Sequence, residues 1–176
     1  SVAVQMTRPY NYLLVKMMQG LGEGLFRLFL FMTPGMVVAV LLFPVQLPVD
    51  PMRWLVFFVM IWFSFLINSQ VNLLIGLFAF FVENNEGLIR MKRVAVDLFS
   101  GVLIPISFFP PWAEKLIGWT PFPAISYLPS SVFTGRIAGA ETWEALLVQL
   151  VWCGLLVVPI VCMWRIARRR LFVQGG

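Results

Sequence analysis

The chain has 176 residues, of which 60% are hydrophobic and only 12% are charged, with a formal net charge of +5 and a mean hydropathy of +0.89. Because a soluble domain carries about a quarter charged residues, this composition excludes an ordinary soluble protein. The chain also has no histidine, which excludes a Ser-His-Asp charge relay and the usual zinc sites.

Four apolar stretches account for this composition. A hydrocarbon core about 30 Å thick needs about 20 helical residues to cross it. We predict an all-α integral membrane protein, a helical bundle with four transmembrane helices and additional short re-entrant or interfacial helices. The predicted crossings are residues 25–43, 54–82, 94–109 and 143–164, within a transmembrane domain of residues 24–176.

The N-terminal part of the chain combines a polar approach with an irregular first crossing. Residues 1–23 mix polar and apolar side chains, and Pro9 suits the first turn of a helix, where its missing N–H is not needed. This mixture is typical of a cytoplasmic amphipathic helix on the membrane surface, with Lys16 extending its ammonium to water. Within the first crossing, Pro34 and Gly35 are expected to kink or unwind the helix.

The second crossing carries a stripe of small and polar residues. Its members recur every four residues and therefore share one helix face: Ser64, Asn68, Asn72 and Gly76. Such stripes let helices approach closely and hydrogen-bond in lipid, so we favour a structural role; a substrate-facing surface is the alternative. Gln70 lies away from the stripe, which predicts protein neighbours on two sides of this helix.

The third predicted crossing is short and carries an ionisable residue, Asp97. A carboxyl group at membrane depth is a functional candidate. However, Asp97 lies four residues after Arg93 and near the water boundary, so the two side chains are within reach on one helix face. We therefore favour a local ion pair between them.

Residues 110–140 are uncharged from Leu116 to Gly135, which is long enough to span, yet prolines interrupt the stretch. Irregular backbone is not tolerated facing lipid. We therefore predict short interfacial or re-entrant helices packed on protein. The aromatic residues of the stretch suit a belt at headgroup level; they are Trp112, Trp119, Phe122, Tyr127 and Phe133.

The basic residues predict the orientation of the chain. With four crossings, one side holds ten of the thirteen Lys and Arg residues: Arg8, Lys16, Arg27, Arg90, Lys92, Arg93, Arg165, Arg168, Arg169 and Arg170. The other side holds Arg53, Lys115 and Arg136. Because cytoplasmic loops carry the excess of Lys and Arg, both ends of this chain are predicted to be cytoplasmic and residues 110–140 to face outward.

Residues that could perform catalysis are scarce. The predicted outer side carries Glu114, Glu141, Glu144 and Asp50, whose spacing does not require a general acid–base pair and is typical of solvated loop acids. No G-x-x-x-x-G-K-[ST] loop occurs, so the chain does not bind ATP through a P-loop. We predict no catalytic residue, no metal site, no cofactor in this chain and no nucleic-acid partner.

The order of features resembles the C-terminal two-thirds of an ABC transporter permease of the ABC-2 type, the membrane subunit of bacterial exporters. Within that family the chain is similar to the branch with a short R-P motif in its coupling segment and a V-x-G-G-like tail. The residues that carry the resemblance are Thr7-Arg8-Pro9-Tyr10-Asn11, Pro121-Phe122-Pro123, Phe133-Thr134-Gly135 and Arg170-Leu171-Phe172-Val173-Gln174-Gly175-Gly176.

This resemblance implies a six-crossing permease in the bacterial cytoplasmic (inner) membrane, of which the four crossings here are the third to sixth. It implies an ATP-binding-cassette ATPase subunit and a second permease subunit, identical or different, as partners. It also implies a cytoplasmic coupling helix and an outer gate. The coupling candidates are Arg8, Pro9, Tyr10, Tyr12 and Lys16, and the gate candidates are Trp112, Trp119, Pro121, Phe122 and Pro123.

The expected function is therefore export of an unidentified substrate from the cytoplasm, driven by ATP hydrolysis on another chain. Wide apolar surfaces suit an amphiphilic substrate. Closure of two ATPase subunits would reach the permease through the coupling helices as a rigid-body movement. Two alternatives remain from the residues alone. One is a membrane-embedded enzyme acting on lipid-linked substrates, and the other is an assembly or anchor subunit without transport activity.

Overall fold

The computed structural model describes residues 12–43, 48–78 and 85–173, with the side chains of residues 12, 85 and 168–173 excepted. These residues form helices and connecting turns, with no strand among them. The contacts between residues divide the chain into two compact units, Ser1–Leu47 and Pro48–Gly176. The helices are α1 (Tyr12–Arg27), α2 (Thr33–Leu42), α3 (Pro51–Phe78), α4 (Asn85–Phe99), α5 (Pro111–Gly118), α6 (Phe122–Ile125), α7 (Tyr127–Phe133) and α8 (Ala140–Val173).

In the first unit, α1 and α2 are joined by a π-helical turn, Leu28–Met32, into one candidate membrane span, Leu13–Leu42. The backbone N–H and the hydroxyl group of Thr33 both donate to the Leu28 carbonyl, the latter at 3.0 Å. A proline inside an α-helix clashes with the carbonyl four residues earlier, and a widened turn relieves that clash. The predicted disturbance therefore occurs one turn before Pro34, and the helix continues through it.

The helical element Leu13–Leu42 extends across the predicted boundary between the coupling segment, residues 1–23, and the transmembrane domain, residues 24–176. Glu23 forms an ion pair with Arg27 one turn later on the exposed surface of α1, an arrangement that supports helix. The segment expected on the membrane surface and the first crossing thus form one continuous helical element from Leu13 onward. Large apolar side chains such as Phe29 and Leu41 are exposed along it, as expected for contact with lipid.

The second unit is built on α3 and α8, which run side by side in the same direction. Near the start of both helices, Val56 and Met60 belong to one buried cluster with Ala145. Farther along both, Ile67 packs in a second cluster with Cys153. Because the contacts advance together along the two helices, α3 and α8 are parallel. Both are candidate membrane spans, as Pro51–Phe78 and Ala140–Ala167.

The predicted third crossing, residues 94–109, is not one helix. Helix α4 ends at Phe99, and the chain then turns through Gly101, whose φ of +80° is a left-handed conformation that favours glycine. A short 3-10 turn, Ile106–Phe108, follows Pro105. Three helices in the described part of the chain are long and apolar enough to span a membrane, so the predicted count of four is not confirmed.

Residues 110–140 do fold as short helices, as the prolines predicted. Pro111 begins α5, Pro123 lies in the first turn of α6, and Pro129 lies in the first turn of α7. The first four N–H groups of any helix have no partner within it, so a proline there costs no hydrogen bond. Each of these prolines therefore stands at the beginning of a new helix, which explains why the stretch folds into three helices.

Candidate functional site

Helices α5, α6 and α7, residues 111–133, form the segment called the hairpin here, in which α6 lies against the seam between α3 and α8 and α7 runs from there toward the start of α3. Ala124 in α6 is 1% exposed and its carbonyl lies 3.2 Å from the Ser64 hydroxyl group. Ser64 is thirteen residues after Pro51, which corresponds to about 20 Å along α3. At the other end of the hairpin, Phe133 contacts residues in the first turns of α3. The hairpin thus reaches about halfway along α3 and comes back to its start.

A glutamine holds the deepest point of this hairpin. Gln149 in α8 is fully buried, and its Nε2 donates to the Ala124 carbonyl at 2.7 Å, the Ser64 Oγ at 3.1 Å and the Met60 carbonyl at 3.2 Å. Backbone carbonyls only accept hydrogen bonds, which fixes the orientation of the amide group. The Gln149 Oε1 has no hydrogen-bond partner among the described residues. One side chain thus links α3, α6 and α8.

A second buried glutamine, Gln70, joins α3 to α8 and has no described hydrogen bond to the hairpin. Gln70 is 1% exposed, and its Nε2 donates to the Cys153 carbonyl at 2.9 Å. Its Oε1 likewise lacks a partner in the described part of the chain. The sequence predicted a protein neighbour for Gln70 away from the polar stripe, and α8 is that neighbour. Gln70 and Gln149 have the same chemistry in the same seam, but Gln149 alone bonds to the hairpin in the described hydrogen bonds.

Aromatic residues hold the other end of the hairpin against the start of α3. The Phe133 ring centroid lies 4.4 Å from that of Phe57 and 5.1 Å from that of Trp54, the latter edge to face. Offset and edge-to-face pairs at these distances are favourable. The indole Nε1 of Trp54 donates to the Pro48 carbonyl at 2.9 Å, which orients the ring. This group of Trp54, Phe57 and Phe133 is called the aromatic clamp below.

The residues after Phe133 end α7 by backbone geometry. The Thr134 hydroxyl group donates to the Ser130 carbonyl at 2.9 Å. Gly135 has a φ of +76°, and a Cβ atom built on it would lie 2.9 Å from a guanidinium nitrogen of Arg53. The Phe133-Thr134-Gly135 sequence thus supplies a clamp ring, a capping hydroxyl group and a left-handed turn beneath Arg53.

The structure separates the members of the predicted polar stripe. Ser64 is buried in the Gln149 network, whereas Asn68 is half-buried and Asn72 is exposed. Gly76 is exposed too, and a Cβ atom there would meet nothing within 4 Å. Among the described hydrogen bonds, those of Ser64 connect the stripe to another segment of the chain.

The described contacts of Arg93 and Asp97 do not include the predicted ion pair between them. An ion pair described in α4 joins Glu86 and Arg90, about two turns nearer the start of the helix. Asp97 is half-buried, and its backbone carbonyl accepts a hydrogen bond from the Leu103 N–H at 3.1 Å where α4 ends. A spacing of four residues permits an ion pair but does not require one.

The predicted gate residues differ in their exposure to solvent. Trp112 and Trp119 are 68% and 84% exposed, which suits a headgroup belt. Pro121 and Phe122 are half-buried and Pro123 is buried. The Phe122 ring packs against Phe99 at the end of α4, with centroids 5.9 Å apart. The tryptophans thus belong to the surface of the hairpin, and the Pro121–Pro123 segment to its interior.

Of the predicted coupling residues, Arg8, Pro9 and Tyr10 lie outside the described residues. Tyr12 begins α1, and nothing is described of its side chain. The Lys16 Nζ donates to the Gln19 Oε1 at 3.1 Å. The four acids of the predicted outer side are exposed; Asp50 accepts a hydrogen bond from the Met52 N–H, and the others are Glu114, Glu141 and Glu144.

Sequence reasoning missed Gln149, although a signal was present. Between Leu146 and Trp164, Gln149 is the single residue with an amide or charged side chain. A strongly polar group in the middle of an otherwise apolar span must find a partner, because lipid offers none. That isolation predicts a buried contact, but not with which segment.

Comparison with known proteins identifies the family to which the chain belongs. A family model described as ABC-2 family transporter protein matches residues 2–175. No curated protein and no solved structure matches the chain. Since the match covers nearly the whole sequence, the chain belongs to the ABC-2 family of transporter proteins and is the membrane permease subunit of an ABC transporter.

Proposed function

We propose that this permease subunit exports an amphiphilic substrate from the cytoplasm, driven by ATP hydrolysis on a separate ATPase subunit. The observation that carries this proposal is the hairpin of residues 111–133, which inserts about halfway along two parallel candidate spans and is held there by Gln149. A segment seated by few polar bonds between two rigid helices can move without unfolding them. It is suited to open and close the outer end of a path.

The parallel arrangement of α3 and α8 supports the four-crossing topology. If both helices span the bilayer in the same direction, the chain between them must cross back. Residues 94–109, which run from the second half of α4 through the turn at Gly101, are the candidate for that return, and Phe99 at the end of α4 packs against the hairpin at Phe122. A broken crossing is tolerated in a membrane when protein covers the irregular backbone.

We infer the orientation from the distribution of basic residues. Both ends of this chain lie on the cytoplasmic side of a bacterial inner membrane, and the hairpin enters the bilayer from the outer side. We expect a membrane-impermeant thiol reagent to label Lys115→Cys in intact cells and to leave Arg90→Cys unlabelled. Both positions are exposed, so a difference reports sidedness. The comparison is made after Cys153 and Cys162 are replaced by alanine, and permeabilised cells are the control. Equal labelling of both positions in intact cells would refute this threading.

Exposed polar residues on α3 support a second permease subunit. Asn72 and Gly76 are exposed within a helix that is a candidate span. An amide side chain facing hydrocarbon is unfavourable, so this face suits contact with another subunit or with the transport path. We propose that two permease subunits, identical or different, enclose that path, with no cofactor in this chain.

Coupling to the ATPase is assigned to the segment around Arg8–Met18. We expect Arg8→Glu combined with Lys16→Glu to uncouple ATP hydrolysis from transport in the complex purified with its ATPase, because reversed charges weaken docking of a basic surface. Transport into inverted vesicles and ATP hydrolysis are measured on the same preparation. Lys115→Glu is the matched control, since it reverses an exposed charge on the proposed outer side. Normal coupling in the double variant would contradict the assignment.

A further inference from the structure

The hairpin is held at its deepest point by hydrogen bonds to one backbone carbonyl group. Ala124 lies in the four-residue helix α6, and its carbonyl accepts from Gln149 Nε2 at 2.7 Å and from Ser64 Oγ at 3.2 Å. The bond from Gln149 is the shorter of the two. A backbone carbonyl buried in a membrane protein needs a donor, so the contacts from Gln149 and Ser64 stabilise the hairpin in the seam, and the shorter one comes from Gln149.

The donors in this network have other acceptors that do not belong to the hairpin. The Ser64 hydroxyl group also lies 2.9 Å from the Met60 carbonyl one turn earlier in its own helix. Gln149 Nε2 lies within hydrogen-bond distance of both Met60 O and Ser64 Oγ. If α6 withdraws, both side chains therefore keep hydrogen bonds to α3. The contact between α3 and α8 survives while the contact to the hairpin is lost.

We propose that Gln149 is a positioning residue that acts as a latch: it seats the hairpin between α3 and α8 and releases it without breaking the seam between these two helices. The inference rests on the proposed function only in linking hairpin movement to a gate. The seating itself is a property of this chain, measurable without transport.

Gln70 provides the matched control. It is as buried as Gln149, has the same side chain, and bridges the same two helices through the Cys153 carbonyl. Its described hydrogen bond does not involve the hairpin. A general loosening of the α3–α8 seam would follow from changing either glutamine, whereas release of the hairpin would follow from changing Gln149.

The test measures exposure of the hairpin by thiol labelling. Ala124 in α6 is 1% exposed and packs in a cluster with Ile67 and Cys153, so Ala124→Cys reports whether the deepest point of the hairpin is seated. The reporter is placed in the chain with Cys153→Ala and Cys162→Ala, and the protein is reconstituted in lipid nanodiscs. Labelling rates with a maleimide are compared for Gln149→Met and Gln70→Met, because methionine keeps the length of glutamine and removes the donor.

We expect Gln149→Met to raise the labelling rate about fivefold, the population change that one net hydrogen bond produces, and Gln70→Met to leave the rate within twofold. Gln149→Asn, which keeps the amide but is one methylene shorter, is expected to label as fast as Gln149→Met. An unchanged rate in both Gln149 variants would overturn the latch, and so would an equal rise in Gln70→Met. Either result would leave the exporter proposal standing, since labelling does not depend on ATP hydrolysis.

Discussion

Replacing Phe133 by alanine is expected to lower the free energy of unfolding by about 2 kcal/mol, less than the loss for a fully buried phenylalanine because Phe133 is half-buried. The change removes the central ring of the aromatic clamp, which contacts Phe57 at 4.4 Å and Trp54 at 5.1 Å between centroids. Without that ring the C-terminal end of the hairpin keeps the apolar contacts of Val132 with Val56 and Met60 of α3. Equilibrium unfolding in mixed detergent micelles, monitored by tryptophan fluorescence, measures the loss.

The control for this variant is Phe108→Ala. Phe108 is 78% exposed in the 3-10 turn, so its removal is expected to change the free energy of unfolding by no more than about 0.5 kcal/mol. A double-mutant cycle between Phe57 and Phe133 should give a coupling of about 1 kcal/mol for the ring pair. If Phe133→Ala and Phe108→Ala lowered the free energy of unfolding by the same amount, the clamp would not anchor the hairpin.

The prolines made the fold of the hairpin predictable from sequence. Proline is excluded from helix interiors but tolerated in a first turn, so Pro111, Pro123 and Pro129 divide an apolar stretch into helices of defined start. Composition likewise predicted helix throughout, since lipid leaves the backbone no other donor or acceptor. These constraints are local, which is why one sequence sufficed to predict them.

What sequence could not predict depends on contacts between distant segments. Gln149 meets Ala124 across 25 positions and Met60 across 89, and neither spacing leaves a periodic signal. The polar stripe of α3 was visible by its period of four, yet burial decreases along it, from the buried Ser64 to the half-buried Asn68 and the exposed Asn72. Helix periodicity identifies a face but not its neighbour.

The predicted third crossing shows that apolar composition alone does not establish a continuous helix. Residues 94–109 are apolar enough to predict a span, but Gly101 adopts φ +80° and ends the regular hydrogen bonding after Phe99. The position of that turn follows from packing: a Cβ atom on Gly101 would lie 3.4 Å from Ile106 and 3.5 Å from Tyr127. Tertiary contact with the hairpin thus accompanies the break, and it was not available to a reading of the sequence.

Two kinds of contact hold the hairpin, and they differ in how easily they open. The clamp at Phe133 is apolar and shape-dependent, whereas the bond from Gln149 to Ala124 can be given up while the amide keeps its contact with α3. A movement that releases Ala124 first and pivots on the clamp would open the seam from its deepest point. Comparing how Phe133→Ala and Gln149→Met change the seating of the hairpin therefore separates the role of the clamp as a pivot from the role of Gln149 as a latch.

Replacing Gly135 by alanine is expected to lower the free energy of unfolding by about 1 kcal/mol, which is the cost of a left-handed conformation for an L-residue. The new Cβ atom would lie 2.9 Å from a guanidinium nitrogen of Arg53. Because this nitrogen is the end of a flexible side chain, it moves away at little further cost. Gly139→Ala is the matched control: Gly139 has φ +63° and nothing lies within 4 Å of a Cβ atom there, so it should lose the same free energy.

The same unfolding measurement on Gly135→Ala in an Arg53→Ala background completes the comparison. The loss caused by Gly135→Ala is expected to stay equal to that of Gly139→Ala, with or without the guanidinium group, because the turn after α7 is set by backbone conformation. A loss at Gly135 that exceeds the loss at Gly139 in the native background, and that falls to the Gly139 value when Arg53 is removed, would contradict this expectation. The guanidinium group would then be held in place against the turn.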